Sequence, residues 1–143
     1  MKDAEYEREK TRLQLLAAKW IKPLGLAWWT IHFLYDDDPI AFRKAWGKET
    51  SEDAVARTLA DWRYGEATIR WNMQRLVDTA FEDDALELMF VHELMHVFVN
   101  EMRWDCSEHD GNYDHEERVC TTLAKGIIWL RDSLTEASLD KDV

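Results

Sequence analysis

The sequence predicts an α+β fold for a single domain spanning residues 1–143. Three observations carry that expectation. Apolar residues Leu13, Leu16, Ala17 and Trp20 fall on one helical face near the start of the chain. Ala67, Ile69 and Trp71 alternate with Thr68, Arg70 and Asn72 behind a Tyr64-Gly65 turn, the period of a half-buried hairpin arm. Two long apolar segments follow and read as helices over about 83–103 and 115–133.

Taken in order, the first helix lies within residues 1–21 and is stopped by Pro23 and Gly25. Leu26 to Tyr35 is rich in β-branched and aromatic residues and reads as a strand. Both of its alternating sets are largely apolar, which predicts cover on both faces. His32, inside it, reads as a structural residue. Asp36 to Asp38, followed by Pro39, end the strand in a solvated turn, because no calcium-loop pattern of glycine and glutamate follows. Residues 40–53, anchored by Ile40, Phe42 and Trp46, read as a short helix or an irregular loop. Val55 to Tyr64 and Glu66 to Asn72 form the hairpin. Thr79 and Glu82 have capping-box spacing ahead of the 83–103 helix, and Asp83 and Asp84 put negative charge at its positive end. The stretch 104–114 is a polar connection. The tail, about 135–143, is polar and is expected to fray.

Composition narrows the class of function. The formal net charge of -11 argues against nucleic acid as a partner, since phosphate contacts need basic patches. No apolar run approaches the ~20 residues of a membrane span. The charged N-terminus has no apolar core of signal-peptide type behind it, so the expected location is cytoplasmic. There, Cys106 and Cys120 are expected to be thiols, with Cys120 a small core residue.

The chemistry concentrates in Val91-His92-Glu93-Leu94-Met95-His96, an H-E-x-x-H pattern. Four helical residues advance about 400° and rise about 6 Å, so both imidazoles leave one face, a turn apart. Two neutral imidazole nitrogens can then meet one Zn²⁺ at roughly 2.0–2.1 Å. Glu93 projects about 100° away, which suits a general base for a water that the metal acidifies to a pKa of about 7. The surrounding segment is apolar on nearly every side, so the helix is expected to be buried. Polar groups inside it need partners, and a metal supplies one. The alternative is a structural histidine–carboxylate network.

The third protein ligand is expected from the next helix, whose apolar face is read as Val119, Cys120, Leu123, Ile127 and Leu130. Stepping back from Val119 and Cys120 by three and four residues reaches Glu116, which ranks first. Glu117, about 100° round, ranks second. His115 at the helix entry and His109 in the connection follow. His109 or Tyr113 is a candidate oxyanion donor. The acidic residues Glu108, Asp110 and Asp114 suggest a mild preference for basic substrates.

The order of elements resembles the minimal zincin metallopeptidases, specifically the small zincin-like proteins encoded by phages and prophages. The resemblance rests on Ala60 to Ile69, on Val91 to His96, and on His115 to Val119 with Leu123-Ala124. It implies a minimal zincin-like fold: an N-terminal helix, a small sheet with a hairpin, the HExxH helix and a ligand-bearing helix after it. It also implies a zinc-dependent peptidase that hydrolyses a protein or peptide substrate. Glu93 would be catalytic, and His92, His96 and an acid near the start of the following helix would hold the metal, in agreement with Glu116. The hairpin arm Ala67–Asn72 is expected to line the cleft as an edge strand that pairs with an extended peptide. The competing expectation is a phage accessory protein that keeps zinc for structure and binds a partner peptide without cutting it. A third is an acidic inhibitor or decoy.

Overall fold

The computed structural model describes residues 2–47, 50–103 and 110–141. The fold is α+β. Helix α1 (Lys2–Trp20) is followed by strand β1 (Thr30–Asp36), helix α2 (Pro39–Lys44) with a 3-10 turn at Ala45–Gly47, and the hairpin β2 (Ala56–Asp61) and β3 (Glu66–Asn72). Helices α3 (Met73–Thr79), α4 (Asp83–Arg103) and α5 (Asp110–Lys141) complete it. The expected helices, strands and hairpin are all present.

Strand order is β1-β3-β2, with β1 parallel and β2 antiparallel to β3. The expected edge role of Ala67–Asn72 is therefore wrong. That arm is β3, paired on both sides, with no free backbone amides to offer a peptide. Hydrophobicity explains its central place: Ala67, Ile69 and Trp71 are all fully or nearly buried, whereas β2 buries no residue to that degree. β1 departs from expectation too. Thr30, His32 and Leu34 are exposed, so the strand is covered on one face only. On the other face the short helix α2 and the turn after it cover only part of the sheet, and an aromatic-rich sequence does not close the rest of an edge strand to water.

The core forms where α4 lies on the sheet. The Phe90 ring stacks on Trp71 at 5.7 Å and on Phe33 at 6.0 Å. Leu86, Val91, Leu94 and Val97 of α4 are buried with them, joined by Leu13 and Trp20 of α1 and Leu76 of α3. This is the apolar helix the sequence promised. Its start is as expected, but Thr79 does not cap it. Thr79 closes α3, and Ala80 follows in the left-handed conformation, φ 49°. The opposite face of the sheet is polar. Arg57 and Arg70 are register partners, and both guanidinium groups sit on the Trp46 ring. Arg70 also pairs through two hydrogen bonds with Asp36 at the end of β1.

The connection after β1 behaves as read: Asp38 caps α2 by accepting from the Ile40 amide. The C-terminal tail does not. α5 runs from Asp110 to Lys141, five residues earlier and eight later than the expected 115–133, so the polar tail continues the helix. Its exposed residues are mostly good helix formers, and no proline interrupts them.

Candidate metal centre

The site lies between α4 and α5, with β2 beside it. The Nε2 atoms of His92 and His96 are 3.1 Å apart, and the rings meet edge to face. Glu117 of α5 stands at the same point. Its Oε2 is 3.1 Å from His92 Nε2, and its Oε1 is 2.9 Å from His96 Nε2. Two imidazole nitrogens and a carboxylate thus face one small volume. Donors at roughly 2.0–2.1 Å in a tetrahedral arrangement are about 3.3 Å apart, close to these separations.

The other nitrogen of each ring is also engaged. His92 Nδ1 is 3.1 Å from the Thr121 hydroxyl, and His96 Nδ1 is 3.0 Å from Glu116 Oε1. These contacts leave Nε2 as the nitrogen that points into the shared volume. A partner on the far ring nitrogen fixes the tautomer and orientation of a metal-binding histidine.

Glu116 and Glu117 therefore do different things, and the geometry inverts their order in the sequence ranking. Glu116, ranked first, is buried against His96 Nδ1, while Glu117, ranked second, faces both Nε2 atoms. The cause is the orientation of α5. Glu116, Cys120 and Ala124 are buried at four-residue spacing, whereas Val119, Leu123 and Leu130 are 44%, 41% and 55% exposed. The face against α4 is turned away from the one that hydrophobicity alone suggested, toward Glu117 and Thr121. His115 is exposed and contacts Arg118, away from the histidine pair. Glu108 and His109 lie outside the described residues, and Asp110, Tyr113 and Asp114 are described only as α5 backbone, so the oxyanion and basic-substrate expectations fall there.

Glu93 is buried beside this volume, within electrostatic reach of His92, His96 and Glu117. It accepts a hydrogen bond from the Thr58 hydroxyl of β2. Burial drives its carboxyl above the ordinary carboxylate range, and the His96 charge and the Thr58 hydrogen bond only partly offset that. For Glu117, burial acts in the same sense, but the contacts with His92 and His96 outweigh it and hold the carboxyl low. His96 is the converse. Burial favours its neutral form, yet contacts with Cys120, Glu116 and Glu117 outweigh it and push its pKa up. Cys120 is a free, buried thiol, pushed up by burial.

A second donor set, His96, Glu116 and Cys120, lies behind the first and is wholly buried. It shares His96 with the first. Sequence reasoning missed Thr58, Thr121 and the Cys120–His96 contact. Thr121 is one helical turn beyond Glu117, so the correct α5 face would have revealed it. Thr58 required the strand order.

The chain matches no protein-family model, no curated protein and no solved structure. Among the described residues, no helix is long and apolar enough to cross a membrane.

Proposed function

We propose that the protein is a zinc-dependent peptidase in which His92, His96 and Glu117 hold the metal and Glu93 is the general base. The observation that carries this reading is the meeting of two Nε2 atoms and one carboxylate, with a non-ligating glutamate on the same helix. Bound there, zinc would polarise a peptide carbonyl and acidify the attacking water. Between the two donor sets, the first is favoured. It uses both histidines, and Glu117 is two-fifths exposed, which gives water and substrate access. The second set is closed.

With a metal held at both Nε2 atoms, the rings of His92 and His96 would donate from Nδ1 to Thr121 and Glu116. Glu93 takes a proton from the water that attacks the carbonyl carbon. It passes that proton to the departing amine nitrogen as the C–N bond breaks. A raised carboxyl pKa suits both halves of that transfer. The substrate chain is an extended peptide. β2 is a sheet edge, paired in the sheet only with β3, and carries Thr58, the partner of Glu93, which makes it the strand suited to pair with such a chain. This assigns to β2 the role that the sequence gave to β3.

The test is elemental analysis of purified protein, together with cleavage of unfolded casein with and without a chelator. About one zinc per chain, a chelator-sensitive melting temperature and cleavage lost in Glu93→Gln are the expected results. Zinc bound with no cleavage of any unfolded protein would favour a non-catalytic peptide-binding role. Absence of metal would leave a histidine–carboxylate network.

A further inference from the structure

Behind the histidine pair, the second donor set repeats the plan of the first with the helices exchanged. The outer set is two residues four apart on α4, His92 and His96, met by Glu117 of α5. The inner set is two residues four apart on α5, Glu116 and Cys120, met by His96 of α4. Residues four apart share a helix face, so in each set two side chains of one helix close on one side chain of the other. The two sets join in a single ring. His96 turns Nε2 toward His92 and Glu117, at 3.1 and 2.9 Å, and Nδ1 toward Glu116 Oε1, at 3.0 Å.

The inner residues sit in the core: Glu116 is 7% exposed, His96 8% and Cys120 0%. Ionisable groups are costly there unless they are paired or hold a metal. Their donor atoms all lie within 4.8 Å of one another. A cation on arms of ~2.0–2.3 Å in a tetrahedral arrangement draws such atoms to about 3.3–3.7 Å apart, which small side-chain rotations can supply.

We infer that His96 Nδ1, Glu116 and Cys120 form a second metal site, which takes one soft, thiophilic cation. The thiolate selects zinc, copper(I) and ions like them over magnesium or calcium. Thiolate and carboxylate together bring two negative charges, which neutralise a divalent ion where water hardly reaches. Binding displaces the thiol proton and the proton between Nδ1 and Glu116, and both leave to solvent. All three donors are buried, so this site holds its ion without offering it to a substrate. An ion on Nδ1 also replaces the hydrogen bond that orients His96 for the outer set, so the two sites are coupled through one imidazole. The inner site needs neither Glu93 nor Glu117, and it stands apart from the peptidase reading.

Cadmium titration of metal-free protein tests it, read by the ultraviolet charge-transfer band that cadmium forms with a thiolate. The Cys106→Ser chain is used, so that Cys120 is the one remaining thiol. A band that saturates at one ion per thiol is expected. In that background, Cys120→Ser should abolish it. Glu116→Gln should weaken the ion by at least the about tenfold that loss of even an outer partner costs. Glu117→Gln, which damages only the outer set, should keep the band at nearly the same affinity. Circular dichroism checks that each variant is folded. A folded Cys106→Ser chain that gives no band would overturn the proposal. So would a Glu116→Gln chain that binds as tightly as its parent, or loss of the band in Glu117→Gln, which would make Cys120 a ligand of an ion in the outer set.

Discussion

Thr58 on β2 gives its hydroxyl hydrogen to Glu93 on α4, so a sheet-edge strand and the metal-site helix are joined through one carboxylate. The bond crosses from sheet to helix and restricts Glu93, whose other polar influences are the charges of His92, His96 and Glu117. A buried carboxylate with one fixed hydroxyl partner keeps one oxygen committed and the other directed.

Replacing Thr58 by Val keeps the volume and removes the donor. The expected result is a fall in casein-cleavage kcat of about tenfold, the worth of one hydrogen bond of ~1–1.5 kcal/mol. Zinc content and KM should stay at wild-type values, and Thr58→Ser should recover most of the rate. Steady-state kinetics on the three proteins decides it. Equal kcat in Thr58→Val would mean that the bond does nothing for Glu93.

Glu116 and Glu117 can be separated by metal affinity. Glu116→Gln removes the charged acceptor on His96 Nδ1 and should weaken zinc by about 10–100-fold, as expected for loss of an outer partner of a ligand. Glu117→Gln removes a donor from the metal itself and should weaken it further. Competition against a chromophoric chelator at neutral pH measures both. The opposite order would return the ligand role to Glu116.

Glu87 gives a prediction about acid. Its carboxylate accepts from Lys19 at 2.6 Å, Trp20 at 3.0 Å and Arg131 at 2.6 Å, so it links α1, α4 and α5. Burial alone would raise its pKa, but those three donors outweigh it and hold the carboxyl below its ordinary 4.5. A group lowered on folding contributes stability that is complete above the unfolded value and lost as pH falls through the folded one. Glu87→Gln should therefore cost about 1–3 kcal/mol at pH 7, discounted because Lys19 and Arg131 are partly exposed. The difference from wild type should shrink as pH falls below the ordinary 4.5 toward the lowered folded value. Urea titrations at pH 7 and pH 3.5 measure it, and a constant difference would show that the ionised carboxylate is not the source.

What the sequence disclosed follows the reach of its signals. α4 was legible to its first residue because apolar side chains surround Phe90 and Val91 and two aspartates precede them, all local features. The hairpin was legible because Tyr64-Gly65 separates two arms directly. The neighbour of β3 on its other side was not, because Ile31↔Ala67 is a parallel pairing that joins residues far apart along the chain. The α5 face failed for a different reason. Hydrophobicity marks two faces of that helix, one against α4 and one exposed at Leu123 and Leu130, and only the packing tells them apart. The α4 motif was thus readable, while the choice between Glu116 and Glu117 waited on tertiary structure.

α5 packs along α4, with Arg131 reaching the Trp20 ring of α1, and contributes no strand to the sheet. Helices attached along one side open as units while the rest of a fold persists. When α5 lifts, Glu117, Glu116 and Thr121 leave the histidines together, and no sheet hydrogen bond breaks. The acid proposed to complete the centre therefore rides on an element that takes no part in the sheet. If the proposed site takes a cation, its loading and release would be local events, in which the ion would fasten one helix to a core already formed.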